Sequence, residues 1–141
     1  WVYHDDTWTQ QAYIKASNTG GNDLFGSRLA LSGDGNTLAL GAQFEDSVAQ
    51  GLDGVQNDDS ASEAGVVYLF SRTGNSWSQI NYIKGSNTEE FDEFGSSMGL
   101  NRDGSLLAIG AQYEDGVATG VGGDETDNSS YDSGAVYLFS R

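Results

Sequence analysis

The sequence predicts an all-β fold in which one four-stranded antiparallel sheet occurs twice. Three observations carry that reading: an internal repeat, turn chemistry at fixed places within it, and strand-like runs between the turns. Sliding the chain along itself by 69 residues aligns Trp8 with Trp77 and continues without a gap to Arg72 against Arg141. Of those 65 positions 35 are identical, so the unit is duplicated. Composition agrees, with 20 Gly and a high aromatic content (3 Trp, 7 Tyr, 6 Phe). No long stretch of Leu, Ala, Glu and Lys stands at helical spacing.

The first strand-like run follows a Phe-Gly pair, at 25–31 and again at 94–100. Next come the turns Ser32-Gly33-Asp34-Gly35-Asn36 and Asn101-Arg102-Asp103-Gly104-Ser105. An Asp-Gly pair between apolar runs is a strong hairpin signal, because Gly accepts positive φ without steric cost. The second runs are 37–42 and 106–111. A long polar loop precedes the third, at 65–71 and 134–140. The turn Thr73-Gly74-Asn75-Ser76 leads to a fourth run at 77–84, whose counterpart is 8–15 at the start of the chain.

Residues 38–42 and 66–70 are nearly continuously apolar, which suits strands covered on both faces. The run from Trp77 to Ile83 alternates polar and apolar residues, which suits a half-exposed outer strand. Buried middle strands with a polar outer one describe a β-propeller blade, in which sheets stack face to face around an axis. A two-sheet sandwich is the alternative, and a 69-residue repeat fits a blade better. Counting blades from Phe-Gly gives three segments. Residues 1–17 form an outer strand that completes a blade of a neighbouring copy, 18–87 the first blade, and 88–141 a second blade without its outer strand.

Two blades make an open wedge with apolar sheet faces at both ends, so closure into a ring by homo-oligomerisation is expected. Two-blade units give an even total, and a tetramer of eight blades is preferred to a trimer of six. At each junction Trp1-Val2-Tyr3 falls at the same repeat position as Phe139-Ser140-Arg141, so one of these ends is expected to fray.

Acids outnumber bases 21 to 6, for a net charge of −15. That argues against nucleic acid or an anionic membrane surface as partner, since both need basic patches. It permits a divalent cation, a basic partner or a neutral ligand such as a glycan. No apolar run approaches the roughly 20 residues that cross a bilayer, and no signal peptide is seen. With no cysteine there is no disulfide framework and no thiolate metal site.

Phe25-Gly26 followed by Gly41-Ala42-Gln43, and Phe94-Gly95 followed by Gly110-Ala111-Gln112, resemble the FG-GAP repeat. That repeat builds the propeller of integrin α-subunits and of related bacterial surface proteins. The resemblance implies an extracellular or cell-surface parent, a propeller fold, and often calcium bound between the first and second strands. Two departures stand out. The family's closing proline is Gln43 and Gln112 here, and the chain has no proline. The short first loops carry only Asp34 and Asp103, too few carboxylates for the six to eight oxygens calcium prefers.

The long acidic loops are the most site-like feature. They share Glu45 with Glu114, Asp46 with Asp115, and Asp58 with Asp127. These six residues are the candidate metal ligands, with calcium as the ion, in sites joining Asp46 to Asp58 and Asp115 to Asp127. The alternative is a solvated loop whose acids cap turns. Asp23 and Asp92, two residues before Phe-Gly, read as acids bonding their own turn backbone. Trp8 and Trp77 open the outer strands and offer either packing or a sugar-stacking surface. His4 is the single histidine and reads as exposed and inert. Without a Cys nucleophile, a Gly-x-Ser-x-Gly elbow or repeated His, no catalytic centre is expected. The expected role is a self-assembling module, excised or engineered from a longer protein and requiring no cofactor. The second reading is an extracellular module that binds protein or glycan, with calcium as its candidate ion.

Overall fold

A computed structural model describes residues 7–141. His4 and the segment Trp1-Val2-Tyr3 lie outside the described residues. Seven strands follow in chain order: β1 (Arg28–Leu31), β2 (Thr37–Ala42), β3 (Val66–Thr73), β4 (Ser76–Ile83), β5 (Phe94–Leu100), β6 (Leu106–Ala111) and β7 (Ala135–Ser140). They form a four-stranded antiparallel meander, β1-β2-β3-β4, and a three-stranded one, β5-β6-β7. Residues 8–15 carry no strand pairing in the single chain.

The expected first strand at 25–31 begins three residues late. Leu24 and Gly26 both take positive φ (57° and 84°), and Ser27 N bonds back to Leu24 O, so the Phe-Gly pair is a turn rather than strand. Positive φ recurs at Glu93 and Gly95, but there Phe-Gly lies within β5, whose ladder opens at Phe94 and shifts register before Ser97. Phe25 and Phe94 each make edge-to-face contacts with the aromatic pair of their own third strand. Phe25 lies 5.2 Å from Tyr68, and Phe94 5.3 Å from Tyr137.

The two sheets stack through one apolar layer. Alternation along the strands sends Ala39, Val67, Leu69 and Ile83 to the face that meets Phe94, Leu107, Ile109 and Ala111. The opposite face of the first sheet presents Leu40, Val66, Tyr68, Phe70 and Tyr82, with Ile14, Ala16 and Phe25 lying against it. Residues from the 8–15 segment therefore sit on the side of the first sheet turned away from the second. Polar bonds pin the stack as well: Arg28 Nε donates to Ser96 O (2.9 Å) and Asp34 N to Arg102 O (2.9 Å).

Gly95 stands at a close crossing between the sheets. A Cβ there would lie 2.9 Å from Val66 O and 3.0 Å from a Val67 methyl, closer than side-chain carbons pack. Its repeat counterpart Gly26 has nothing within 4 Å.

Candidate functional site

The long loop after β2 folds back over the end of β4. Lys84 N donates to Gly51 O (2.9 Å), and Asp53 N to Tyr82 O (2.8 Å). The turn that allows this needs positive φ at Gly51 (68°) and Asp53 (54°). It closes a pocket over Glu45, which is fully buried. Asn18 Nδ2 and the Tyr82 hydroxyl donate to its Oε1 (2.8 and 2.7 Å). Lys84 Nζ and Ser47 N donate to its Oε2 (3.0 and 3.1 Å). Tyr68 OH in turn donates to Asn18 Oδ1.

Burial drives the Lys84 amine below its ordinary pKa, with Glu45 opposing that shift. Burial also pushes the Tyr68 and Tyr82 hydroxyls upward. A carboxylate with four donors, one of them a cation, has its oxygens occupied, so Glu45 does not fit as a calcium ligand.

The remaining loop acids are engaged locally. Asp46 Oδ1 accepts Glu63 N (2.8 Å) and Asp115 Oδ1 accepts Asp132 N (2.7 Å), each tying the start of its loop to the end. Asp58 accepts Ser60 N and Asp127 accepts Ser129 N, both two residues on. Among the described residues no three His, Asp or Glu side chains gather as metal ligands would. Asp23 and Asp92 bond the turn backbone as their position suggests, through Gly20 N and Glu89 N (both 2.8 Å).

Glu114 repeats the Glu45 pocket in part. Asn87 Nδ2 donates to its Oε1 (2.6 Å), and Tyr137 OH donates to Asn87 Oδ1 (2.7 Å). The repeat counterparts of Tyr82 and Lys84 are Tyr13 and Lys15, which lie exposed on the far side of the first sheet. Gly116 stands where Ser47 stands. Burial pushes the Glu114 carboxyl up, and burial first and the facing Glu114 and Glu89 carboxylates after it push Asp92 up to about 7. An open groove of about 470 Å³ runs along β7, bordered by Glu114, Gly120–Glu125 and Gly134–Leu138.

Three of the pocket residues, Tyr82, Lys84 and Asn18, stand in the sequence without showing their role, in the blocks Tyr-Ile-Lys and Ser-Asn-Thr that recur unchanged. A lysine ending an outer strand reads as solvated, and only the fold-back of the 51–53 turn buries it. Glu93 gave no signal, since Leu24 is its counterpart. It accepts bonds from both Gln43 and Gln112 (3.3 and 2.7 Å), the two positions where the repeat lacks proline. Trp77 packs rather than presenting a free face, with Arg72 over its ring at 5.7 Å and its Nε1 donating to Gln11. Trp8 is exposed.

Stacked antiparallel meanders, each opened by a Phe-Gly pair that packs on its own third strand, define a β-propeller repeat module. The FG-GAP repeat model matches residues 8–70 and 77–139, and the chain belongs to the FG-GAP repeat family. No curated protein and no solved structure matches it significantly. Repeats of this family are typical of extracellular or surface proteins.

Proposed function

We propose that the chain is a non-catalytic propeller module whose copies associate head to tail into a closed ring, four copies being preferred to three. One observation carries this reading. Val67 and Leu69 are 0% and 6% exposed beneath the second sheet, whereas their repeat counterparts Val136 and Leu138 are 70% and 69% exposed. The other end is complementary. Leu29 and Leu31 are exposed, while their counterparts Met98 and Leu100 pack into the layer between the sheets. Each end of the stack thus presents one half of an interface that the chain already builds once between its own sheets. Burying a Val or Leu side chain is worth about 1.5–3 kcal/mol, so matching ends favour association that repeats the internal packing. Such a contact is heterologous, and it closes if the rotation per copy divides the circle.

Sedimentation across a wide concentration range tests the reading. A species near four times the 15.0 kDa chain mass supports it, and a monomer at every concentration refutes it. The module as read needs no cofactor: at matched ionic strength, calcium added to chelator-treated protein leaves the melting temperature unchanged.

A second reading rests on the open polar cleft of about 490 Å³ between Asn18, Asp23, Asp46, Gln56 and Asp59. Its carboxylates and amides suit hydroxyl-rich or basic ligands, as expected of a glycan- or protein-binding surface module. Binding on a glycan array, lost in Asp59→Asn, would favour it.

A further inference from the structure

We propose that the groove along the free edge of β7 seats residues 8–15 of a second copy, and that Lys15 of that copy closes a buried ion pair with Glu114 as Lys84 does with Glu45. This rests on the head-to-tail reading above and says what locks the junction.

The groove has the shape of a filled site. The turn that clamps β4 in the first unit uses Gly51 and Asp53 at φ 68° and 54°. The turn bordering the groove uses their counterparts Gly120 and Gly122 at φ 83° and 70°. Asn18 Nδ2 donates to both Glu45 and Gln56 O, and Asn87 Nδ2 donates in the same way to Glu114 and Glu125 O. The amide, the third-strand tyrosine and the clamping turn are therefore already set for a fourth strand. Among the described residues β7 pairs with β6 alone.

The occupant is defined by the same comparison. In the first unit the guest is Tyr82-Ile83-Lys84, and the identical run Tyr13-Ile14-Lys15 stands elsewhere on the chain with Tyr13 82% exposed. The described residues of the chain do not fill its own groove, because Ile14 and Ala16 lie against the face of the first sheet that points away from the second. A second copy stacked head to tail brings that segment to the β7 edge. Charge is complementary: the groove offers Glu114 with Asp92 close by, and the guest offers a lysine. The junction also differs from its internal template. Asp53, whose carboxylate bonds Tyr82 N and Asn81, is replaced by Gly122, and Ser47 by Gly116. With those bonds gone, the lysine carries a larger share of the specificity.

The test measures the dissociation constant of the assembly by sedimentation for the full chain, Lys15→Met, Glu114→Gln and the double variant. Lys15 is exposed in the single chain, so Lys15→Met leaves the melting curve of dilute protein unchanged. Removing one partner of a buried pair strands the other, so each single variant raises the dissociation constant on the order of a hundredfold. The double variant, with no stranded charge, loses less than the two singles combined. A Lys15→Met chain that assembles as tightly as the original overturns the ion pair and leaves the ring reading standing. An original chain that never assembles overturns both.

Discussion

Lys84 Nζ lies 3.0 Å from Glu45 Oε2, and both side chains are removed from water. The pair fastens the outer strand of the first blade to the loop that leaves its second strand. Lys84→Met leaves Glu45 buried beside Asn18 and Tyr82 without its cation. Breaking such a pair costs about 3–5 kcal/mol, read as a lower midpoint in urea. Glu45→Gln combined with Lys84→Met recovers part of that loss.

Val136 and Leu138 are exposed in the single chain and would be buried only in the proposed ring. Val136→Asp with Leu138→Asp, on the open face of β7, leaves the circular dichroism and melting of the protomer within about 0.5 kcal/mol. The same pair of changes abolishes the oligomer in sedimentation. Val67→Asp, at the buried counterpart, unfolds the protomer instead.

Acid should move the protomer and the assembly in opposite directions. Glu114 and Asp92 have folded pKa values raised by burial, and Glu89, Glu125, Tyr137 and, beside Asp92, the Lys84 amine are the other titratable groups that act on them. A carboxyl with a raised folded pKa contributes stability that is full below the ordinary carboxylate range. That contribution is lost as pH rises through the folded value, about 7 for Asp92. The non-assembling Val136→Asp/Leu138→Asp chain therefore gains stability between about pH 8 and about pH 5, by at most about 1.4 kcal/mol per pH unit for one proton, and Asp92→Asn flattens the profile. An incoming Lys15 favours the charged carboxylates and expels protons, so the dissociation constant rises as pH falls through the same window.

Gly26 and Gly95 share a left-handed backbone but not a neighbour. Gly26→Ala costs the protomer only the left-handed strain of about 1–2 kcal/mol. Gly95→Ala adds a collision with Val66 O and costs more in thermal melts. In the proposed ring Gly26 would meet the third strand of the preceding copy, as Gly95 meets Val66 and Val67, so Gly26→Ala also weakens association.

Each copy carries −15, so bringing four together concentrates −60. The Debye length falls from about 10 Å at 0.1 M salt to about 3 Å at 1 M. Added sodium chloride therefore tightens the assembly, with the dissociation constant falling as salt is raised. Arginine and lysine are few, and the proposed Lys15–Glu114 pair would be buried and little screened, so attraction is weakened less than repulsion.

The sequence by itself determined the duplication, the all-β class and most strand limits. Period-two patterning and Asp-Gly turns are local, and residues 37–42, 94–100 and 106–111 form strands as read. It also held both copies of Tyr-Ile-Lys in plain view. Only the tertiary structure decided that Lys84 is buried against Glu45, because the loop that covers it comes from 33 residues earlier in the chain, at Gly51. The same holds for Glu93, where glutamines of two different sheets converge on an acid that one sheet alone gives no reason to notice. Long loops are set by what they fold against rather than by local pattern. Their acids therefore read as candidate calcium ligands in the sequence, and only the fold shows what each meets in the single chain: Lys84 for Glu45, Asn87 for Glu114, and loop or turn backbone for Asp46, Asp58, Asp115 and Asp127.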